Sequence, residues 1–64
     1  MSIKKWKVTR SFFWHTMKRK SVETFIVHDE FGKPVCSGRD IRSAVVSALR
    51  IAKELNVAVE VVGD

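Results

Sequence analysis

The sequence predicts a small α+β domain in the order ββ(β)αβ, in which one helix covers one face of a three- or four-stranded, mainly antiparallel sheet. Three patterns predict this two-layer fold. Apolar and polar residues alternate through residues 5–15, apolar residues recur with helical spacing through residues 41–55, and a valine-rich run follows at residues 57–62. A chain of 64 residues is expected to form a single compact domain over residues 1–64, with a small core of marginal stability.

The first two strands are predicted to form a hairpin. Residues 5–15 alternate aromatic or β-branched side chains with charged and hydroxyl side chains, which is typical of a strand. The polar run 18–21 ends this pattern. Residues 22–28 are rich in Val, Ile, Phe and Thr and predict the second strand.

The register of this hairpin decides which aromatic side chains enter the core. A turn centred on residues 18–19 would pair Phe12 with Phe25 and Arg10 with Val27. A slip of one residue would exchange the two faces, so the sequence leaves open which face the helix covers. If the core face holds Val8, Phe12, Trp14, Phe25 and Val27, the opposite face presents Lys7, Thr9, Phe13, His15, Val22, Thr24, Ile26 and His28. Either face would leave apolar groups for a partner.

The segment after the hairpin connects it to the helix. Residues 29–34 have the Asp, Gly and Pro content of a turn, and residues 35–36 predict a short third strand. The helix is expected over about residues 38–55. Its N-cap is either Ser37 or Asp40, since both side chains can accept a hydrogen bond from a free backbone N–H.

The helix and the last strand supply the rest of the predicted core. Apolar residues with a spacing of three and four form one stripe, which we expect to be buried. This stripe consists of Ile41, Ala44, Val45, Ala48, Leu49, Ala52 and Leu55. Asn56 suits the left-handed position that ends a helix. The valine-rich residues 57–62 predict a closing strand in a central position of the sheet.

Charge is distributed unevenly along the chain. Residues 1–22 contain seven Lys or Arg, four of the six aromatic residues, and no Asp or Glu. Residues 23–64 contain five basic and seven acidic residues, so the net charge of +5 joins a segment of +7 to one of −2. Such asymmetry indicates an anionic partner.

The basic-aromatic hairpin is therefore the predicted binding site, and nucleic acid, either DNA or RNA, is the predicted partner. Nucleic acid binding needs cations for the phosphates and, for unpaired bases, aromatic faces on which they stack. The predicted site consists of Lys5, Lys7, Arg10, Trp14, Lys18, Arg19 and Lys20, with Phe13 and Trp6 as further stacking candidates. The alternative explanation is structural, because aromatic residues can be core and lysines can keep strand edges soluble.

Two other interpretations remain open. A basic face can also recognise an acidic surface of a larger protein complex, as a small phage-type regulator or inhibitor would. A homodimer could form through the sheet face that the helix leaves uncovered, because small domains often need a second subunit for stability.

Catalysis, a metal and a cofactor are not expected. His15, His28 and Cys36 match no zinc-ligand spacing, and no nucleophile has an evident base and orienting group. With one cysteine an internal disulfide is impossible, which indicates a reducing, cytoplasmic setting. No apolar run reaches the roughly 20 residues that span a bilayer, so the predicted function is a binding module that acts away from membranes.

Overall fold

The computed structural model describes residues 3–63, which form one four-stranded sheet and one helix. The elements are β1 (Lys4–His15), β2 (Lys20–His28), β3 (Pro34–Gly38), α1 (Ile41–Leu55) and β4 (Val59–Gly63). The strand order is β3-β2-β1-β4, with antiparallel pairing of β1 with β2 and of β2 with β3, and parallel pairing of β1 with β4. The predicted α+β fold of the order ββ(β)αβ is confirmed.

The closing strand lies at an edge of the sheet, so the predicted central position is wrong. β4 pairs only with β1, from Lys4 opposite Val59 to Val8 opposite Gly63. The two hairpin strands take the centre because β3 and β4 flank them from opposite sides. The valines of β4 still have a packing role, since Val59 and Val61 contact the core from the helix side of the sheet.

The hairpin register differs by two residues from the prediction. The loop is Thr16–Arg19 and the second strand already begins at Lys20, so Arg10 pairs with Phe25 and Phe12 pairs with Glu23. A shift of two residues keeps every side chain on its face. The side chains that share the face of Val8 are therefore those expected, although their cross-strand partners are not.

The helix begins at Ile41 rather than near residue 38, and Asp40 is its N-cap. The Ser43 N–H donates to the Asp40 carboxylate over 2.7 Å, and this hydrogen bond lowers the pKa of Asp40. Ser37, the alternative cap, lies within β3. Asn56 has a φ of 58° and ends the helix in the left-handed conformation that was predicted.

The core is small, and the helix contributes only alanines to its buried residues. Its buried residues are Trp6, Val8, Phe25, Val27, Ala44, Ala48 and Ala52. Ile41, Leu49 and Leu55 are exposed, so their assignment to the core is wrong. Ile41 and Leu55 occupy the terminal turns of the helix, where fewer neighbours cover a side chain, and Leu49 lies on the flank of the alanine stripe.

The alanine stripe and Gly38 let the helix approach the sheet closely. A Cβ atom on Gly38 would lie 2.6 Å from the backbone N of Ala44, which is a steric clash. On the same strand the Cys36 thiol donates to the Ala44 carbonyl over 3.6 Å. The first turns of α1 are thus held against β3 by contacts that involve backbone atoms.

Candidate functional site

The hairpin strands extend well beyond the other strands. β4 accompanies β1 only as far as Val8, and β3 accompanies β2 only as far as Phe25. Residues 12–23 are therefore a two-stranded ribbon with no flanking strand in the part of the chain that the structure describes, and we call them the ribbon. The molecule accordingly measures 47 × 19 × 17 Å.

The helix reaches only the base of the ribbon, which leaves both faces of the ribbon largely open. A 15-residue helix spans about 22 Å, whereas the 12 residues of β1 span about 40 Å. Phe12 is 57% exposed, Phe13 48% and Trp14 64%. Phe12 and Trp14 lie on the helix side of the sheet, where Phe12 shares a groove with Ile41 at the start of the helix and Trp14 does not line that groove.

The other tryptophan is not available to a partner. Trp6 is only 4% exposed and belongs to the core, so a stacking role for Trp6 is wrong. Its buried indole Nε1 has no hydrogen-bond partner among the described residues. Phe12 is the aromatic group that the predicted site omitted.

The tip of the ribbon concentrates positive charge. Lys18, Arg19 and Lys20 are consecutive and exposed, and the Lys18 N–H donates to His15 Nδ1 over 3.3 Å. Arg19 has a φ of 51°, a left-handed conformation that glycine adopts at lower energetic cost than arginine. The loop therefore keeps a cation at a position where the backbone alone would favour glycine.

Arg10 is less available than the tip cations. Its guanidinium lies 3.7 Å from the Glu23 carboxylate and 5.5 Å from the centroid of the Phe12 ring. Glu23 is the only carboxylate in the ribbon. This pair at the base neutralises the one negative charge near the exposed aromatic residues.

Lys5 and Lys7 are separate from the rest of the predicted site. Both are exposed on the sheet face away from the helix, and Lys5 is the cross-strand partner of Glu60. His15 lies eight positions after Lys7 along β1, a distance of about 26 Å. Of the seven predicted residues, the structure brings together Trp14, Lys18, Arg19 and Lys20, with Arg10 at the base of the ribbon.

An apolar groove of about 620 Å³ lies between the base of the ribbon and the first turns of the helix. α1 packs mainly against β3 and β2, so part of the sheet surface near β4 is open beside the helix. The groove is lined by Val8, Arg10, Phe12, Phe25, Ile41, Val45, Val61 and Gly63. Most of its lining is aliphatic or aromatic, and among residues 3–63 Arg10 is the only charged residue in it.

The structure does not bring Cys36 and His28 together. Cys36 lies on the helix side of the sheet, whereas His28 lies on the other face opposite Lys7. Partial burial raises the pKa of the Cys36 thiol, so the thiol stays protonated near neutral pH. Among residues 3–63 no three His, Cys, Asp or Glu side chains are grouped as a metal site would require.

Within the described chain, α1 is too short and too polar to cross a bilayer. Searches of protein-family models, curated proteins and solved structures found no match to this chain. The geometry of the ribbon is therefore the basis on which a function is proposed.

Proposed function

We propose that this protein is a non-catalytic nucleic-acid-binding domain that uses the ribbon as its contact surface. The observation that carries the proposal is that residues 12–23 project beyond the helix and the flanking strands, with Phe12, Phe13 and Trp14 about half exposed or more. Large apolar groups held in water on both faces of a narrow ribbon are typical of a surface that meets a partner.

Charge favours a polyanion as that partner. The tip carries three adjacent cations, and the one carboxylate of the ribbon is paired with Arg10. A partner that approaches the tip meets positive charge from Lys18, Arg19 and Lys20 together with the aromatic rings behind them. Cations supply the phosphate contacts of nucleic acid binding, and exposed rings supply contacts to bases. The single free cysteine supports a cytoplasmic site of action.

The test uses the left-handed conformation of Arg19. Arg19→Gly removes one tip cation and also relieves the backbone, so affinity should fall while the unfolding midpoint stays the same or rises. Anisotropy of labelled DNA and RNA oligonucleotides, measured from about 50 to 200 mM salt, gives the affinity and its salt dependence. Absence of binding by the wild-type protein at low salt would contradict the proposal.

Lys33→Ala is the matched control. Lys33 carries the same charge, is exposed, and lies in the turn between β2 and β3 at the end of the molecule opposite the ribbon. Its replacement should leave the salt slope almost unchanged. Replacement of all three tip cations should reduce the slope of log K against log salt by about 2.7, since each phosphate contact with duplex DNA contributes about 0.9.

A protein partner is the second candidate, and the apolar groove favours it. A small regulator or inhibitor of a larger complex could place an acidic, apolar segment of its target along Ile41 and Phe12, with Arg10 at the rim. A nuclease-treated lysate discriminates the two proposals. Capture of one protein that is lost with Val45→Lys but kept with Arg19→Gly would favour the protein partner over nucleic acid.

A homodimer through the sheet face away from the helix stays a prediction. That face combines partly buried Val22, Ile26 and Val62 with exposed Lys5 and Lys7. Sedimentation over a wide range of protein concentrations tests it, because a strict monomer at high concentration excludes a dimer.

A further inference from the structure

The geometry points to one class of nucleic acid: we propose that the ribbon enters the major groove of B-form duplex DNA. This inference rests on the proposed function and names its target. It makes duplex DNA the preferred ligand over both double-stranded RNA and single strands.

The dimensions of the ribbon fit that groove. Its arms, residues 12–15 and 20–23, are four residues each, about 13 Å long and about 4.8 Å apart, and the loop Thr16–Arg19 joins them. The major groove of B-DNA is about 12 Å wide and about 8.5 Å deep and admits a two-stranded ribbon, whereas the minor groove is about 6 Å wide. The arms are thus longer than the groove is deep. The end of the ribbon can reach the floor of the major groove before the rest of the domain meets the sugar-phosphate backbone of the DNA.

The distribution of aromatic side chains on the ribbon favours binding in the groove of a duplex over binding of a single nucleic-acid strand. A single strand lies along one face and stacks its bases on aromatic rings of that face. Here the rings alternate, with Phe12 and Trp14 on one face and Phe13 on the other. A ligand that contacts both faces at once must enclose the ribbon, and the walls of a groove do so.

The cations at the tip of the ribbon are placed where they can contact the phosphates on both sides of the groove. Lys18 and Arg19 belong to the loop, while Lys20 begins β2 on the face away from the helix. Their long side chains can reach phosphates on the strands that border the groove, and the rings can contact base edges such as the thymine methyl group, which only the major groove presents.

Double-stranded RNA provides the sharpest comparison. It has the same linear arrangement of paired strands and phosphates, but its A-form major groove is deep and narrow and does not admit protein side chains. A protein that recognises charge alone would bind both duplexes. A ribbon that must enter the groove would bind only the DNA duplex well.

The experiment measures the affinity of the full-length protein for a 24-base-pair DNA duplex, an RNA duplex of the same sequence, and each single DNA strand, at low salt. We expect the DNA duplex to bind at least about tenfold more tightly than the other ligands. Methyl green, which occupies the major groove, should compete with the protein, and distamycin, which occupies the minor groove, should not.

The two proposals fail in different ways. Equal or tighter binding to double-stranded RNA or to single strands would overturn the duplex-groove inference and leave nucleic acid binding intact. Competition by distamycin but not by methyl green would also overturn it, because the minor groove would then be the site. No binding to any of the four ligands would overturn both proposals. Trp14→Ala serves as the variant, and it should weaken duplex binding while its unfolding midpoint stays near that of the wild type, since Trp14 is largely exposed.

Discussion

Gly38 shows how a single residue sets the distance between the two layers. Because a Cβ atom there would lie 2.6 Å from the Ala44 backbone N, Gly38→Ala must displace the start of the helix. We expect the free energy of unfolding to fall by about 1–3 kcal/mol, the usual effect of overpacking a tight contact. Urea denaturation followed by circular dichroism measures this change.

Gly63→Ala is the control for that substitution. A Cβ atom on Gly63 meets nothing within 4 Å, so the same chemical change should leave the urea midpoint nearly unchanged or raise it slightly, because alanine restricts the unfolded chain. Equal destabilisation by Gly38→Ala and Gly63→Ala would contradict the role assigned to the close approach.

Asp40 makes helix stability depend on pH. The hydrogen bond from Ser43 lowers the pKa of Asp40 in the folded protein below its ordinary value of about 3.9. Asp40 therefore stabilises the fold fully above the unfolded pKa, and this stabilisation is lost as the pH falls through the folded value. Asp40→Asn keeps a capping oxygen but does not titrate. The stability advantage of the wild type over Asp40→Asn should shrink as the pH falls below the ordinary pKa of an aspartate, and an advantage that grows on acidification would contradict the assignment.

At the scale of the element, the ribbon should tolerate the loss of its ion pair. Arg10 and Glu23 are both substantially exposed, and such pairs contribute less than about 1 kcal/mol to stability. Glu23→Gln should therefore leave the unfolding midpoint almost unchanged and free Arg10 for a phosphate. The salt slope of nucleic acid binding should then become steeper by about 1.

Glu54→Gln separates this local effect from net charge. Glu54 is exposed in the last turn of the helix, away from the ribbon, and its loss changes the total charge by the same amount. Affinity that rises equally in both variants would mean that overall charge, rather than a released Arg10, is responsible.

The sequence predicted the strands and the helix better than it predicted which side chains they bury. Alternation and helical spacing identified the strands, the helix and its Asn56 end, because these patterns are local. The exposure of Ile41 and Phe12 depends on where one element ends relative to another, and periodicity carries no such information. The cross-strand partner of Phe12 depended on a loop whose left-handed residue, Arg19, is not of a type that signals such a turn.

At the scale of the whole molecule, the residues proposed to bind nucleic acid and the buried core residues are different. The seven residues of the described chain that are buried in the core all lie outside residues 12–23. Replacement of these twelve residues by a short glycine-containing turn should therefore change the free energy of unfolding by less than about 1 kcal/mol, while nucleic acid binding is lost. Chemical denaturation and anisotropy measured on the same preparation check both outcomes. A shortened protein that fails to fold would show that the ribbon supports the core.

The pairing of the strands also explains why the sequence predicted only some of the residues of the candidate site. The basic-aromatic segment was correctly recognised as a feature of β1 and the hairpin loop. The sequence did not indicate that β4 pairs with β1 only as far as Val8. Because of this limit, Lys5 and Lys7 lie in the four-stranded part of the sheet and Trp14 lies in the ribbon. That division follows from a parallel pairing between distant segments, which no local pattern specifies.

The same parallel pairing has a consequence for synthesis of the chain. The Lys4 N–H donates to the Ala58 carbonyl over 3.0 Å, and Lys4 is the partner of Val59, so β1 and β4 join residues from near opposite ends of the sequence. The β1–β2 hairpin can form from local contacts as soon as it leaves the ribosome. The sheet cannot be completed until residues 59–63 emerge, because closing so long a loop requires both ends. During translation the aromatic ribbon is thus displayed before the domain that carries it is stable.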